Sequence, residues 1–438
     1  MTADVTIKDG ARLEPHPLRA AILGEVHARP FTAVETPRRI LHFGFATNSE
    51  AARADRAALA SFCARRELEP LKASAKQHRV TLGGVALRWE QHSEFTTYTW
   101  EMPSAGATPF HPAAASLATP MAGVPQPGPL LVALDVHLLA ERKRKLAFER
   151  LFDQASLAVA ENSDGKGLFA TDFQADPSGF VRILLLDRGL GPERAGALVQ
   201  RVIELETYRT LALLGLPESQ RLMPSIGHIE TRLAEVAEEM RRTDRLTDNQ
   251  RLLDELTALA AELEAGATAS LFRFGASRAY HEIVQLRLQT IGERKVEGFP
   301  TWTSFLARRM SPAMRTCIVT EERQATLSQK LARAADLLRT RVDVELERQN
   351  RDLLKSMNDR TRLQLRLQAT VEGLSVAAIS YYVVGLFGYV VKGLHDEGLG
   401  VNVSLATALF VPVAVAAIWF VLRRIRRRHI SASSSSPD

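Results

Sequence analysis

Two short strings carry acid–base and metal-ligating side chains at close spacing: Glu25 with His27, and His92 with Glu94. In each pair the residues are two apart, which on a β-strand puts both side chains on one face, where a carboxylate and an imidazole can share a divalent cation. These four residues are the metal-site candidates, and a metal-dependent enzyme is the class they would serve. The opposing reading is a salt-bridge and hydrogen-bond network in which Glu25 meets Arg29. No His-x-x-x-His or Cys-x-x-Cys motif accompanies the pairs, and no nucleophile elbow or calcium loop occurs elsewhere. Gly189 and Gly191 before Pro192 lack the Gly-x-Gly-x-x-Gly spacing of a phosphate loop and read as a strand-to-helix turn. A function other than catalysis is therefore favoured, and no cofactor beyond a divalent cation is suggested.

A second set of polar residues lies inside an apolar run. Ser375, Tyr382 and Tyr389 recur at sevens, with Gly385 close by, so on a helix they form one stripe. Polar groups within hydrocarbon face protein or water, which makes Ser375, Tyr382, Gly385 and Tyr389 pore-lining candidates; the plain alternative is helix packing. The run itself, residues 374–391, and a second, 401–422, are uncharged, and each is about 18–22 residues long, enough to cross roughly 30 Å of hydrocarbon as a helix. No Asp, Glu, Lys or Arg interrupts either, which excludes a charged proton relay.

Charge then sets orientation. The formal net charge is +6, and five of those charges sit in one cluster, Arg423, Arg424, Arg426, Arg427 and Arg428. The excess is a membrane flank, not a nucleic-acid face. Arg360, Arg362 and Arg366 precede the first run, whereas the link between the runs has no basic excess. By the positive-inside rule both termini are cytoplasmic, and the chain is a multi-pass protein of the cell inner membrane. The first residues show no secretory signal, and the two cysteines, Cys63 and Cys317, read as reduced and buried.

The elements that must hold these residues follow from periodicity. Residues 1–217 alternate strand and helix patterns without regular helical crossovers, so an α+β unit with a mixed or antiparallel sheet is expected. A proline- and alanine-rich excursion, 103–129, interrupts it, and Gly215 with Pro217 reads as the stop of its last helix. Residues 218–372 carry only helical pattern, with a break expected at Ala265 and Gly266 and a new helix starting at Ser311 and Pro312. From there one helix runs into the first apolar run. Along it Leu331, Val342 and Leu353 recur at eleven, as do Ala335, Leu346 and Met357, the interval of a straight or slightly right-handed bundle. The organisation is thus a cytosolic α+β domain (1–217), a helical, coiled-coil-like stalk (218–372), a two-span hairpin (373–422) and a basic tail (423–438). Its expected partners are the lipid bilayer and further copies of itself through residues 312–391, with no nucleic acid.

The strings GEVHARPF at 24–31, WEQHSEFTTYTW at 89–100 and ETYRTLALLGLP at 206–217 resemble the bacterial family catalogued as domain of unknown function 3422, over nearly the whole chain. That resemblance implies a membrane-anchored protein without an assigned activity, and it transfers no functional residue. The layout of a cytosolic α/β domain, a long helix feeding two C-terminal spans and a basic tail is similar to the CorA-type divalent-cation channels, which are homopentamers. The arginines at 423–428 match that family's basic ring in position and kind. Its Gly-Met-Asn motif is missing, with Gly388, Tyr389 and Val390 in its place. Three functional readings follow: a CorA-like homo-oligomer that conducts or regulates cations, a membrane-tethered scaffold or regulator without transport, and a metal-dependent enzyme.

Overall fold

A computed structural model describes residues 5–6, 12–13, 16–19, 22–23, 31–72, 75–104, 108–117, 120–124, 126–141, 147–396 and 402–433. The protein is α+β. Its elements are β1 (Arg38–Ala46), α1 (Ser49–Arg65), β2 (Gln77–Leu82), β3 (Val85–Gln91), β4 (Phe95–Pro103), β5 (Leu130–Ala140), β6 (Ala158–Glu161), β7 (Gly167–Thr171) and β8 (Val181–Asp187). There follow α2 (Pro192–Ala212), α3 (Gly215–Arg242), α4 (Leu246–Ile291), β9 (Arg294–Lys295), α5 (Trp302–Asp396) and α6 (Val403–Ser433). Two compact units result, one of Met1–Arg241 with Asp254–Ala335, the other of Arg242–Leu253 with Asp336–Asp438.

In the first unit these nine strands form one sheet in the order β9-β6-β7-β8-β5-β1-β4-β3-β2, in which only β8 and β5 are parallel, and Val5–Thr6 pairs antiparallel with Arg12–Leu13 apart from it. The near-continuous apolar run of β5, LLVALDVHLLA, explains its central place, since a strand covered on both faces needs no polar alternation. One face packs against α2, the end of α4 and the start of α5 through Leu134, Val136, Ile183, Val202, Val284 and Trp302. Elsewhere α1 packs on β1–β4 through Leu59, Phe62, Trp89, Tyr98 and Trp100. Asn48 caps α1 by accepting the backbone N–H of Ala51 at 2.8 Å. The proline-rich excursion supplies Ala114 and Val124 to this core, and Met121 accepts the Trp100 indole N–H at 3.4 Å.

Three expected boundaries move. The helix expected to start at Pro312 begins ten residues earlier, at Trp302, which is fully buried and donates its indole N–H to Ala158 O at 3.2 Å. Glu293 and Thr301 accept the orphan N–H groups of Thr303 and Ser304 there. Pro312 is tolerated inside the helix because it lies on the exposed side, while Met310, Met314 and Cys317 keep the opposite side buried. The break expected at Ala265 and Gly266 is absent, and α4 runs through it. A Cβ on Gly266 would stand 3.3 Å from Leu222, so the glycine lets a neighbouring side chain approach. Gly215 is not a stop but the first residue of α3, where a Cβ would meet Ser277 at 2.7 Å and Cys317 at 3.1 Å. Both cysteines are free and buried, and burial pushes their thiols above the usual range.

In the second unit the last buried stalk positions are Leu338 and Val342, and no side chain from Asp343 to Thr370 is buried. Of the eleven-residue row, Leu331 and Val342 are buried but Leu353 is exposed; Leu346 and Met357 are exposed as well.

Candidate functional site

The sheet positions the first set of candidates. His92 and Glu94 do not share a strand face: they stand in the turn between β3 and β4, where His92 N donates to Phe95 O at 2.9 Å. The His92 ring stacks on Phe95 at 4.0 Å, and Phe95 meets the edges of Tyr208 and Tyr280, which stack on one another at 5.5 Å. Glu94 is gripped by the Arg273 guanidinium through both of its terminal nitrogens. Burial, then the neighbouring Glu94, pushes the Tyr280 hydroxyl above its ordinary range. Glu25 and His27 lie outside the described residues. Among the described residues, no group of three or more His, Cys, Asp and Glu is arranged to hold a metal.

Behind this turn His42 is held at both nitrogens. Thr207 Oγ1 donates to Ile203 O at 2.8 Å, so it accepts the Nε2 proton of His42 at 3.1 Å, and His42 Nδ1 accepts from Thr99 Oγ1 at 2.8 Å. Burial, with the charge of Arg88 and then of His92, lowers the His42 pKa to about 3, so the imidazole is neutral and structural.

A second polar set escaped the sequence reading. Arg39 on β1 forks onto Asp135 on β5 with Nε and Nη2 at 2.8 and 2.6 Å, both residues buried. Arg39 Nη1 donates to Pro112 O at 2.6 Å, and His137 Nδ1 accepts the N–H of Phe110 at 2.8 Å, so this pair and its neighbour fasten the excursion to the sheet. Burial, then Arg39, lowers the His137 pKa to about 4. The signal was present as charge inside apolar strands, RRILHFGFA and LLVALDVHLLA, because a buried charge has to be paired.

The apolar helices carry the remaining candidates. Two helices are long and apolar enough to cross a membrane, one within α5 and one within α6. On α5, Ser380 and Val391 are buried, Phe387 stacks on Phe410 at 3.8 Å, and a Cβ on Gly388 would stand 3.9 Å from Thr407 of α6. Positions 380, 387, 388 and 391 share one helix side by their three- and four-residue spacing. Tyr382 and Tyr389 lie away from it, 70% and 77% exposed, and Gly385 is exposed too. Ser375 donates its hydroxyl to Val371 O at 2.9 Å. Arg423 and Arg424 are exposed on α6, with the Arg423 guanidinium 4.8 Å from the Trp419 ring centre. Arg426, Arg427 and Arg428 continue that helix, and their side chains lie outside those described.

A family model described as "Protein of unknown function (DUF3422)" matches residues 14–429. No curated protein matches the chain.

Proposed function

Since the chain belongs to the DUF3422 family, a membership that assigns no activity, we propose from its own geometry that it is a membrane-anchored homo-oligomer. Its two apolar helices span the inner membrane, and its α+β unit is held on the cytoplasmic side. The arginines that precede the first span and those that follow the second orient both ends inward. One observation carries the oligomer: Tyr382 sits at the middle of its span and is exposed on the side of α5 away from α6. An interfacial tyrosine belongs at headgroup depth, and a mid-span hydroxyl in hydrocarbon has no partner. A second copy of α5, packed through Tyr382 and Gly385, covers it.

The same stripe favours a second reading, a CorA-like cation path between the first spans, lined by Ser375, Tyr382 and Tyr389. Its filter would differ from that of the CorA channels because Gly388, Tyr389 and Val390 replace Gly-Met-Asn.

The test is a Tyr382→Cys variant with Cys63 and Cys317 replaced by alanine, oxidised in native membranes. Cross-linked species larger than the monomer are expected, with none for Cys at Val384 on the covered side. Monomer alone at Tyr382→Cys would overturn the oligomer. Cation flux into vesicles containing the protein, weakened by Tyr382→Leu, separates a conducting assembly from an anchoring one.

A further inference from the structure

The first unit contains a cavity of about 250 Å³ that neither reading uses. Asp172, Phe173 and Gln174 after β7, Arg209 of α2, and Phe305 and Arg309 of α5 line it. Its wall is a four-layer stack. The rings of Phe173 and Phe305 lie 4.9 Å apart and nearly parallel; Arg209 stands over Phe173 at 5.5 Å and Arg309 over Phe305 at 4.8 Å.

Two features set this stack apart from ordinary core. Phe173 has φ +56°, a conformation that is unfavourable for a bulky residue and persists where its surroundings enforce it. Here Thr171 Oγ1 accepts the Phe173 N–H at 3.1 Å, and Asp172 Oδ1 accepts the Gln174 N–H at 3.2 Å. The second feature is the hydrogen-bonding capacity that is left over. Arg209 commits Nε and Nη2 to Glu206, which leaves Nη1. Arg309, unlike Arg209, has no carboxylate partner among the described residues. Asp172 is buried, and each of its oxygens accepts one backbone N–H, Oδ2 from Asp153 at 2.9 Å, so each retains a lone pair. Ser156 is already spent, donating to Asp153 and accepting from Gln174.

The cavity therefore offers cationic donors, one carboxylate acceptor and an aromatic wall. We propose that it binds a small zwitterion of the amino-acid type. The ligand's carboxylate is taken by Arg309, its ammonium group by Asp172, and its apolar side chain by Phe173 and Phe305. The volume agrees, being below the roughly 300–1,000 Å³ of pockets for drug-sized ligands.

Calorimetric titration of the full chain in detergent with the proteinogenic amino acids, their N-acetyl derivatives and their amides tests this. At least one apolar or aromatic amino acid should bind saturably. N-acetylation, amidation and Arg309→Gln should each weaken it about tenfold or more. Arg309 is exposed, and a thermal melt of the variant separates lost binding from lost folding. The assignment is overturned if no amino acid binds, if the N-acetyl derivative binds equally well, or if a folded Arg309→Gln protein binds as the wild type does.

Discussion

In the first unit a buried arginine lies 2.6 Å from its aspartate and a buried histidine is bonded at both nitrogens, whereas from Asp343 to Thr370 α5 buries no side chain at all. The first region closes on itself: its buried Arg39 and Asp135 are paired, and Gly196 and Gly215 stand where other atoms need the space. The second is open. Pairs such as Glu347 with Arg351 and Lys355 with Asp359, four apart, lend a lone helix a few tenths of a kcal/mol each. They do not account for Leu353, Leu354, Met357, Leu363 and Leu367, all exposed on the same stretch. The α+β unit draws its stability from its own contacts; in the membrane-anchored oligomer proposed above, the stalk and spans draw theirs from the bilayer and from other copies.

That contrast can be broken at three points. The largest effect is expected inside the closed region. A Cβ on Gly196 of α2 would stand 1.8 Å from the backbone oxygen of Thr32, so Gly196→Ala must displace backbone and cost about 3 kcal/mol in thermal or denaturant unfolding. A loss below about 0.5 kcal/mol would show this packing to be loose.

Next comes the open region, where Leu353→Asp with Met357→Asp should leave unfolding of the α+β unit unchanged within about 0.5 kcal/mol. The same pair should weaken self-association about tenfold, or about 1.4 kcal/mol, by mass measurement in detergent. Unchanged association would place the contact elsewhere.

The smallest concerns acid. His42 titrates near 3 when folded and near 6.5 when unfolded, so the unfolded chain takes up its proton first. The stability it contributes is complete above about pH 6.5 and falls by about 1.4 kcal/mol per pH unit as the pH drops toward 3. His137 adds a similar slope down to about 4. His42→Gln should remove roughly half of the combined change in melts between pH 7 and pH 6, about 0.7 kcal/mol, although it lowers stability at pH 7. A slope unchanged in the variant would mean that His42 is already protonated in the fold.

What could be read in advance follows from the range of the interactions involved. The α+β pattern of residues 1–217 and the two apolar runs were legible because periodicity and run length are local properties of the chain. The start of α5 was not. Ser311 and Pro312 form a local start signal, but it is outweighed by Trp302, whose ring finds Ala158 O more than a hundred residues away. The continuity of α4 through Gly266 was hidden likewise, since the reason for that glycine is Leu222 on another helix. His92 and Glu94 matched a strand pattern, and their place in a turn was fixed by the β3–β4 register and by Arg273.

The α+β class, the apolar helices and the charge asymmetry around them are written in the chain itself, because hydrophobic period, length and the count of arginines need no partner to be defined. Which charges neutralise one another, and which side of the first apolar helix is left uncovered, was settled by the fold. It likewise decided that Phe173, Phe305, Arg209 and Arg309 meet around one cavity. Those outcomes depend on residues far apart in the chain coming within a few ångströms, which no local pattern encodes.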